Sequence, residues 1–331
     1  MSAHRVRLVR ASFPVRPRDR SVVGVDARDA VFVRLDRDGR VGFGECAPLG
    51  ATGAGLLAGC IQSLEAWAAS GAPPGEIPPM PAAARLAATE AIETMAGFGA
   101  MRCAPVSSAA YFGAGPDALD EASIDRLRLG ASVKVKVGRA PMRDERRMLE
   151  RILRELPEAR LRLDGNRSMA LEACAELVRG LPTERLEYLE EPLADPADLG
   201  VLFRRTGIAI ALDELVVDAS DEARALRDRL TPDAGACAWV VRLSRIGTLD
   251  EVRRVARDAV AHGCDPVLST AYESSWSIRL AVHLADALGA RSRPHGLGTA
   301  DVLERDACAP ATLVGGCLGG EALPVPLEDR W

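Results

Sequence analysis

Ser132-Val133-Lys134-Val135-Lys136-Val137-Gly138 is the stretch on which the fold turns. Strand side chains alternate faces, so the three valines share one face and Lys134 and Lys136 share the other. A strand of this kind needs an apolar layer on one side and a place for two amines on the other. A closed parallel barrel supplies both, with helices outside and a lumen inside. The pair is also a compositional oddity. Lysine stands at these two positions only, so 40 of the 42 basic residues are arginine. Arginine stays protonated under ordinary conditions, whereas lysine gives up its proton when desolvated or set beside another cation. Two lysines kept two residues apart therefore point to proton transfer.

Working outward, short β-rich runs at 104–111, 132–138, 160–166, 186–192, 208–214, 238–244 and 265–270 alternate with amphipathic helical runs. The helical runs lie at 144–156, 170–180, 196–206, 248–262 and 275–288. Repeated strand-then-helix units imply a parallel barrel or a doubly wound sheet. Residues 1–100 read differently, as α+β. Strand-like runs at 5–13, 30–35 and 41–45 form an antiparallel pattern with Asp38-Gly39 as a hairpin turn. Helical stretches follow at 54–69 and 82–97, separated by a Pro-rich spacer at 72–81. Loops at 14–28 and 47–53 read equally as lids or as ordinary surface loops. The Gly- and Pro-rich tail is expected to pack back on the first unit.

The alternation rule places charges inside the barrel. In Ile208-Ala209-Ile210-Ala211-Leu212-Asp213 the large aliphatics point out and Asp213 points in. Arg162 and Asp164 point in from Leu161-Arg162-Leu163-Asp164, and Arg242 from Trp239-Val240-Val241-Arg242. Glu190 ends the run at 186–190. Successive strands thus carry Lys-x-Lys, Asp, Glu, Asp and Arg near their C-terminal ends, where parallel barrels keep their active sites. Carboxylates that converge need cations. Oxygen ligands of this kind favour Mg²⁺, with Mn²⁺ as an alternative. The same set also reads as ion pairs closing the barrel mouth.

Composition narrows the classes. The hydrophobic fraction of 48% over 331 residues is enough for a sizeable core. Net charge is −5 without a basic block, which speaks against nucleic acid and membrane surfaces. No run of 18 apolar residues occurs and the first residues lack a signal-peptide core, so a cytoplasmic protein is expected. The eight scattered cysteines form no CxxC pair and read as reduced thiols. The four histidines form no cluster. Oligomeric state is left open, with a homo-oligomer compatible with the chain.

Lys134-x-Lys136, Asp164-Gly165-Asn166, Glu190-Glu191-Pro192 and Asp213-Glu214 resemble, in order and spacing, the signatures of the enolase superfamily, best its muconate-lactonizing branch. The resemblance implies a (β/α)7β TIM-like barrel at 101–300. It also implies an α+β capping domain at 1–100 and a C-terminal segment, 301–331, that packs on the cap. It implies Mg²⁺ held by Asp164, Glu190 and Asp213, with Glu191 and Glu214 beside the ligands. Within the branch, Ser269-Thr270-Ala271-Tyr272-Glu273-Ser274-Ser275, Leu161 to Arg167 and Gly44-Glu45-Cys46-Ala47-Pro48-Leu49 look similar to the o-succinylbenzoate synthase family.

One position departs from the branch pattern. A second lysine is usual on the sixth barrel strand, and here it is Arg242. A racemase needs an acid/base on each face of the substrate, and arginine is a poor base. A synthase of this family resembles a one-base syn elimination, in which the second cation only stabilises charge. The expected chemistry is dehydration of a small cyclohexadiene carboxylate. Lys136 would be the base, with Lys134 and Arg242 as cations. Asn166, Arg162, Ser269 and Thr270 are candidate substrate or supporting contacts, with Arg162 reading equally as a barrel salt bridge. The alternatives are an N-succinylamino acid racemase, a dipeptide epimerase or a muconate cycloisomerase on the same scaffold, and, from another class, a non-catalytic structural barrel.

Overall fold

The computed structural model describes residues 4–49, 53–71 and 75–331. Residues 50–52 of the second loop and 72–74 of the Pro-rich spacer lie outside the described residues. Three antiparallel strands come first: β1 (His4–Pro14), β2 (Ala27–Arg37) and β3 (Arg40–Cys46), paired in that order. The β2–β3 hairpin turns at Asp38 (φ 52°) and Gly39 (φ 75°), both in the left-handed region that a two-residue turn requires. Helices Gly53–Ser70 and Ala82–Met95 cover one face of the sheet. There Val31, Val33 and Leu35 bury against Leu64, Trp67 and Ala87. Gly42 and Gly44 let the second helix approach β3. A Cβ at these positions would sit 1.9 Å from Ala91 O and 2.0 Å from Ala87 O. Phe32, on the opposite face, meets Trp276 edge-on at 6.5 Å, so the sheet is packed between its own helices and the next layer.

That layer is a closed barrel. Strands β4 (Val106–Phe112), β5 (Ser132–Lys136), β6 (Leu161–Asp164), β7 (Leu186–Glu190), β8 (Ile210–Leu212), β9 (Ala236–Arg242), β10 (Asp265–Ser269) and β11 (His295–Gly298) are parallel neighbours in chain order. β11 pairs in turn with β4 and closes the ring, giving a (β/α)7β barrel. Val133, Val135 and Val137 are fully buried on the outer face. They pack against Met148, Leu149 and Ile152 of helix Met142–Glu155. Each such side chain contributes about 1.5–3 kcal/mol of burial.

Three elements were not legible in the sequence. β11 is His295-Gly296-Leu297-Gly298, without the β-branched residues that mark a strand. Gly298 serves by size, since a Cβ there would lie 2.2 Å from Ala109 O. Helices Glu121–Leu127 and Asp221–Arg229 also went unread, because both are short and highly charged. The segment at 14–28 holds two short helical turns, Pro17–Asp19 and Arg20–Val23, and Val15 within it is fully buried against Leu303. The tail reaches both layers. Strands β12 (Leu313–Val314) and β13 (Cys317–Leu318) form a hairpin whose β13 pairs antiparallel with β4. Trp331 packs on Phe43 of β3 at 5.4 Å. Among the described residues no helix is long and apolar enough to cross a membrane.

One buried acid joins the sheet to the barrel. The Glu45 carboxylate on β3 accepts hydrogen bonds from Ser274 N (3.1 Å), Ser274 Oγ (2.5 Å) and Ser277 Oγ (2.7 Å). Burial pushes its pKa up from the usual 4.5 to about 7. A raised folded pKa means that the native state holds the proton more tightly than the unfolded chain. The stability from that proton is whole below about pH 4.5, falls as pH rises to about 7, and is level above. The swing is about 3 kcal/mol. Glu45→Gln carries no such proton. Thermal melts from pH 4 to 8 are therefore expected to show wild type losing ground to Glu45→Gln across that window. A constant difference between the two would refute the assignment.

Candidate active site

Strand register brings the charged side chains into one row. Lys136 pairs with Asp164, Asp164 with Glu190, and Glu190 with Ala211, two residues before Asp213. All sit at the C-terminal ends of β5 to β8. Lys134 Nζ lies between two acids, 2.7 Å from Glu190 Oε1 and 2.7 Å from Asp164 Oδ2. Lys136 Nζ lies 2.6 Å from Asp164 Oδ2 and 2.5 Å from Asn166 Oδ1. Arg242, at the end of β9, hydrogen-bonds Asp213 and stands 3.6 Å from Glu190. Three cations of the chain thus hold three of its carboxylates.

The two lysines are driven in opposite directions. Burial works against the Lys134 ammonium, but Asp164 and Glu190 outweigh it and hold its pKa above the usual lysine value. Burial and the neighbouring Lys134 charge pull Lys136 below the usual lysine value, against the attraction of Asp164. Arg242 is buried too, yet Asp213 and Glu190 hold its proton more tightly than in a free arginine. Burial and the nearby Asp164 push Glu190 up to about 7 in spite of Lys134.

Among the described residues no three His, Cys, Asp or Glu side chains converge at metal-ligand spacing. The donor chemistry nevertheless fits a hard divalent cation. Asp164, Glu190 and Asp213 present only carboxylate oxygens from three adjacent strands. Asp213 Oδ1 is buried without a hydrogen-bond partner. Lys134 Nζ occupies the space between two of these acids.

The remaining candidates divide by place. Ser269 and Thr270 line the same cavity as Lys134, Lys136 and Arg242. Thr270 Oγ1 meets Thr299 Oγ1 at 3.0 Å. Asn166, held at φ 44°, touches Lys136 directly. Glu191 is fully buried and is held by backbone and Arg167 contacts. Its Oε1 accepts Asp213 N and Leu215 N, each at 2.8 Å, while Arg167 binds its other oxygen, so it fixes the backbone that carries Asp213. Glu214 starts a short helical turn, half-buried, 4.0 Å from Arg245.

Arg162 takes the second of its two readings. It does point into the barrel, but it is fully buried beneath the charged row and does not line the cavity. Glu187 holds its Nε at 2.8 Å and its Nη2 at 2.9 Å, and the guanidinium lies 4.8 Å over the Tyr188 ring. A bulge between Leu161 and Arg162 in the β6–β7 pairing accompanies the inward turn of Glu187, which simple alternation would have sent outward. Of the two readings for Arg162, substrate contact and barrel salt bridge, the geometry is that of the salt bridge.

Sequence reasoning missed the aromatic lining. Tyr111 and Tyr272 both face the cavity, and their hydroxyls are 2.5 Å apart. The chain holds three tyrosines, and the third, Tyr188, is a fully buried lumen residue. A count of three, one above that of lysine, was the available signal.

Residues 120–315 match the family profile described as Enolase C-terminal domain-like. The o-succinylbenzoate synthase of Enterobacter sp. (strain 638) is 32% identical over 301 residues, covering 87% of this chain and 89% of that protein. That of Edwardsiella ictaluri (strain 93-146) is 31% identical over 281 residues, covering 82% and 83%. Among solved structures, the L-Ala-D/L-Glu epimerase of Bacillus subtilis aligns with a TM-score of 0.79 at 18% identity, over 98% of this chain and 99% of that one. The muconate lactonizing enzyme of Klebsiella pneumoniae aligns with a TM-score of 0.78 at 20% identity, over 98% and 97%. Likeness at these identities concerns the fold.

The Arg162–Glu187 pair has a measurable consequence. Glu187→Ala leaves a buried guanidinium short of its main partner and is expected to cost about 3–5 kcal/mol. Replacing both members with apolar residues, as in Arg162→Met with Glu187→Leu, removes the stranded charge. Denaturant melts should place the double variant above Glu187→Ala. The reverse order would show that the pair is not the floor of the barrel.

Proposed function

Because the chain belongs to the enolase superfamily, we propose that it is an o-succinylbenzoate synthase-like lyase. The substrate would be a 2-succinyl-6-hydroxy-cyclohexadiene-1-carboxylate, dehydrated with syn geometry to o-succinylbenzoate, a step of menaquinone biosynthesis. The observation that carries this reading is the unequal state of the cations around one cavity. Lys136 is pulled towards the neutral amine, while Lys134 and Arg242 are held as cations. One base and two fixed charges suit a one-base elimination better than a two-base racemisation. Relatives of similar length carrying the synthase name support the same substrate class.

In this mechanism the neutral Lys136 amine takes the proton next to the substrate carboxylate. Asn166 and Asp164 aim the amine, each touching Nζ. Negative charge develops on the carboxylate oxygens as an enediolate forms. Lys134 faces that charge with an ammonium that does not give up its proton. Arg242 adds a second fixed cation from the opposite strand. Lys136, now an ammonium, returns its proton to the departing hydroxyl on the same face, and the ring becomes aromatic. Asp164, Glu190 and Asp213 are the residues that would hold Mg²⁺ or Mn²⁺. When bound, the metal supplies positive charge opposite the enediolate oxygens. Glu191 keeps Asp213 in place through two backbone N–H groups.

Turnover is followed by the appearance of the aromatic product. Lys136→Ala with metal present is expected to lose about 10²–10⁴-fold in kcat. Substantial retained dehydration would sink the base assignment. Deuterium exchange into one face only of N-succinyl amino acids is expected, and exchange at both faces would replace this reading with a racemase. Mg²⁺ is expected to raise Tm in wild type and not in Asp213→Ala, because a ligand that binds only the folded state stabilises it. Equal responses in the two proteins would remove the metal from this site.

A further inference from the structure

Arg28 lies on β2, in the antiparallel layer, and is 5% exposed. Among the described residues it has no carboxylate partner. Its three donor groups go instead to three backbone carbonyls. Nη2 donates to Ala47 O at 2.8 Å, Nη1 to Pro48 O at 3.1 Å and Nε to Tyr272 O at 3.4 Å. Two of these carbonyls belong to the chain leaving β3, and the third to the barrel segment that follows β10. The guanidinium fork therefore pins two layers together at one residue of the cavity wall.

That residue is strained. Tyr272 has φ 63°, in the left-handed region that a bulky side chain rarely adopts. The conformation persists only where surrounding contacts over-determine it. Arg28 binds the Tyr272 carbonyl, and Glu45 grips Ser274 and Ser277 just beyond. The side chain so held enters the cavity and meets Tyr111, hydroxyl to hydroxyl at 2.5 Å, with the rings edge-on at 5.7 Å. In a pair of phenols one O–H is donated to the other oxygen and the second stays free. Burial holds both phenols in the neutral, donating form. The pair offers one O–H donor to the cavity, beside the small residues Ala109, Ala271 and Gly296 that share its lining.

We propose that Arg28, which does not line the cavity, is a positioning residue for substrate binding. It acts through Tyr272, whose hydroxyl pairs with Tyr111 to bind an acceptor oxygen of the substrate away from Lys136. The inference rests on the lyase reading for the identity of that substrate. Lysine cannot replace Arg28, because one ammonium cannot span three carbonyls that the planar fork reaches from separate nitrogens.

The test is a kinetic double-mutant cycle with Arg28→Lys, Tyr272→Phe and the double variant, on the cyclohexadiene substrate with Mg²⁺. Each single variant is expected to raise KM about tenfold, the loss of one hydrogen bond to substrate, with kcat nearly unchanged. The double variant is expected to match the worse single one, since both changes remove the same contact. An unchanged KM in Arg28→Lys, or effects that multiply in the double, overturns the proposal. A lower Tm with unchanged KM would mark Arg28 as merely structural and also overturns it. Should wild type fail to turn over the substrate, the lyase reading falls by itself. Arg28 is then judged by the crystal structure of Arg28→Lys. Loss of the Tyr111–Tyr272 hydroxyl contact supports the coupling, and its retention with Tyr272 still left-handed refutes it. If Arg28→Lys does not fold, Arg28→Gln goes through the same two measurements.

Discussion

Three carboxylates at the mouth of a closed barrel cannot remain ionised together without positive charge between them. Asp164, Glu190 and Asp213 meet that constraint with Lys134, Lys136 and Arg242. Much else follows from it. The acids must come from neighbouring strands whose ends lie level, which the β5–β8 register provides. The opposite faces of the same strands must be apolar, because the barrel is stabilised by helices packed outside. The alternation of valine and lysine in β5 satisfies both demands in five residues. The compensation is also unequal. Lys134 sits between two acids and is fixed as a cation, whereas Lys136 has one acid, one amide and a neighbouring charge. Chemistry with a single mobile proton grows out of that inequality.

A second tier of contacts holds the first in place. Glu191 ties down the backbone of Asp213, and Asn166 touches Lys136. On the other side of the cavity, Arg28 and Glu45 of the antiparallel layer grip the segment from Tyr272 to Ser277. Arg28 spends all three of its contacts on backbone carbonyls, and Glu45 accepts from one backbone N–H and two serine hydroxyls. The antiparallel layer thus shapes the wall of a site whose charges all belong to the barrel.

What could be read in advance obeyed period-two alternation. Lys134, Lys136, Asp164, Asp213 and Arg242 were placed in the lumen because their strand neighbours are large and aliphatic. Where alternation is broken, reading stopped. The bulge at β6–β7 goes with the turn of Glu187 onto Arg162, a partner that alternation would have sent outward, and it decides for the salt bridge between two readings of Arg162. β11 was invisible because glycines there serve close approach and carry no hydrophobic pattern. Tyr272 was quoted within a recognisable run, yet nothing local marks a positive φ at a tyrosine.

The sequence by itself determined the repeated strand-then-helix units, seven of the eight barrel strands in order and the identity of the charged groups in the mouth, while the family resemblance chose the barrel over a doubly wound sheet. Side-chain period and composition are local properties, and they survive without coordinates. Only the tertiary structure decided which lysine shares its charge with two acids and which with one. It alone brought Tyr111 to Tyr272, 161 residues apart, and set Arg28 against a carbonyl 244 residues away. The protonation state of a buried amine, and the aim of a strained side chain, depend on distances between groups that no local pattern encodes.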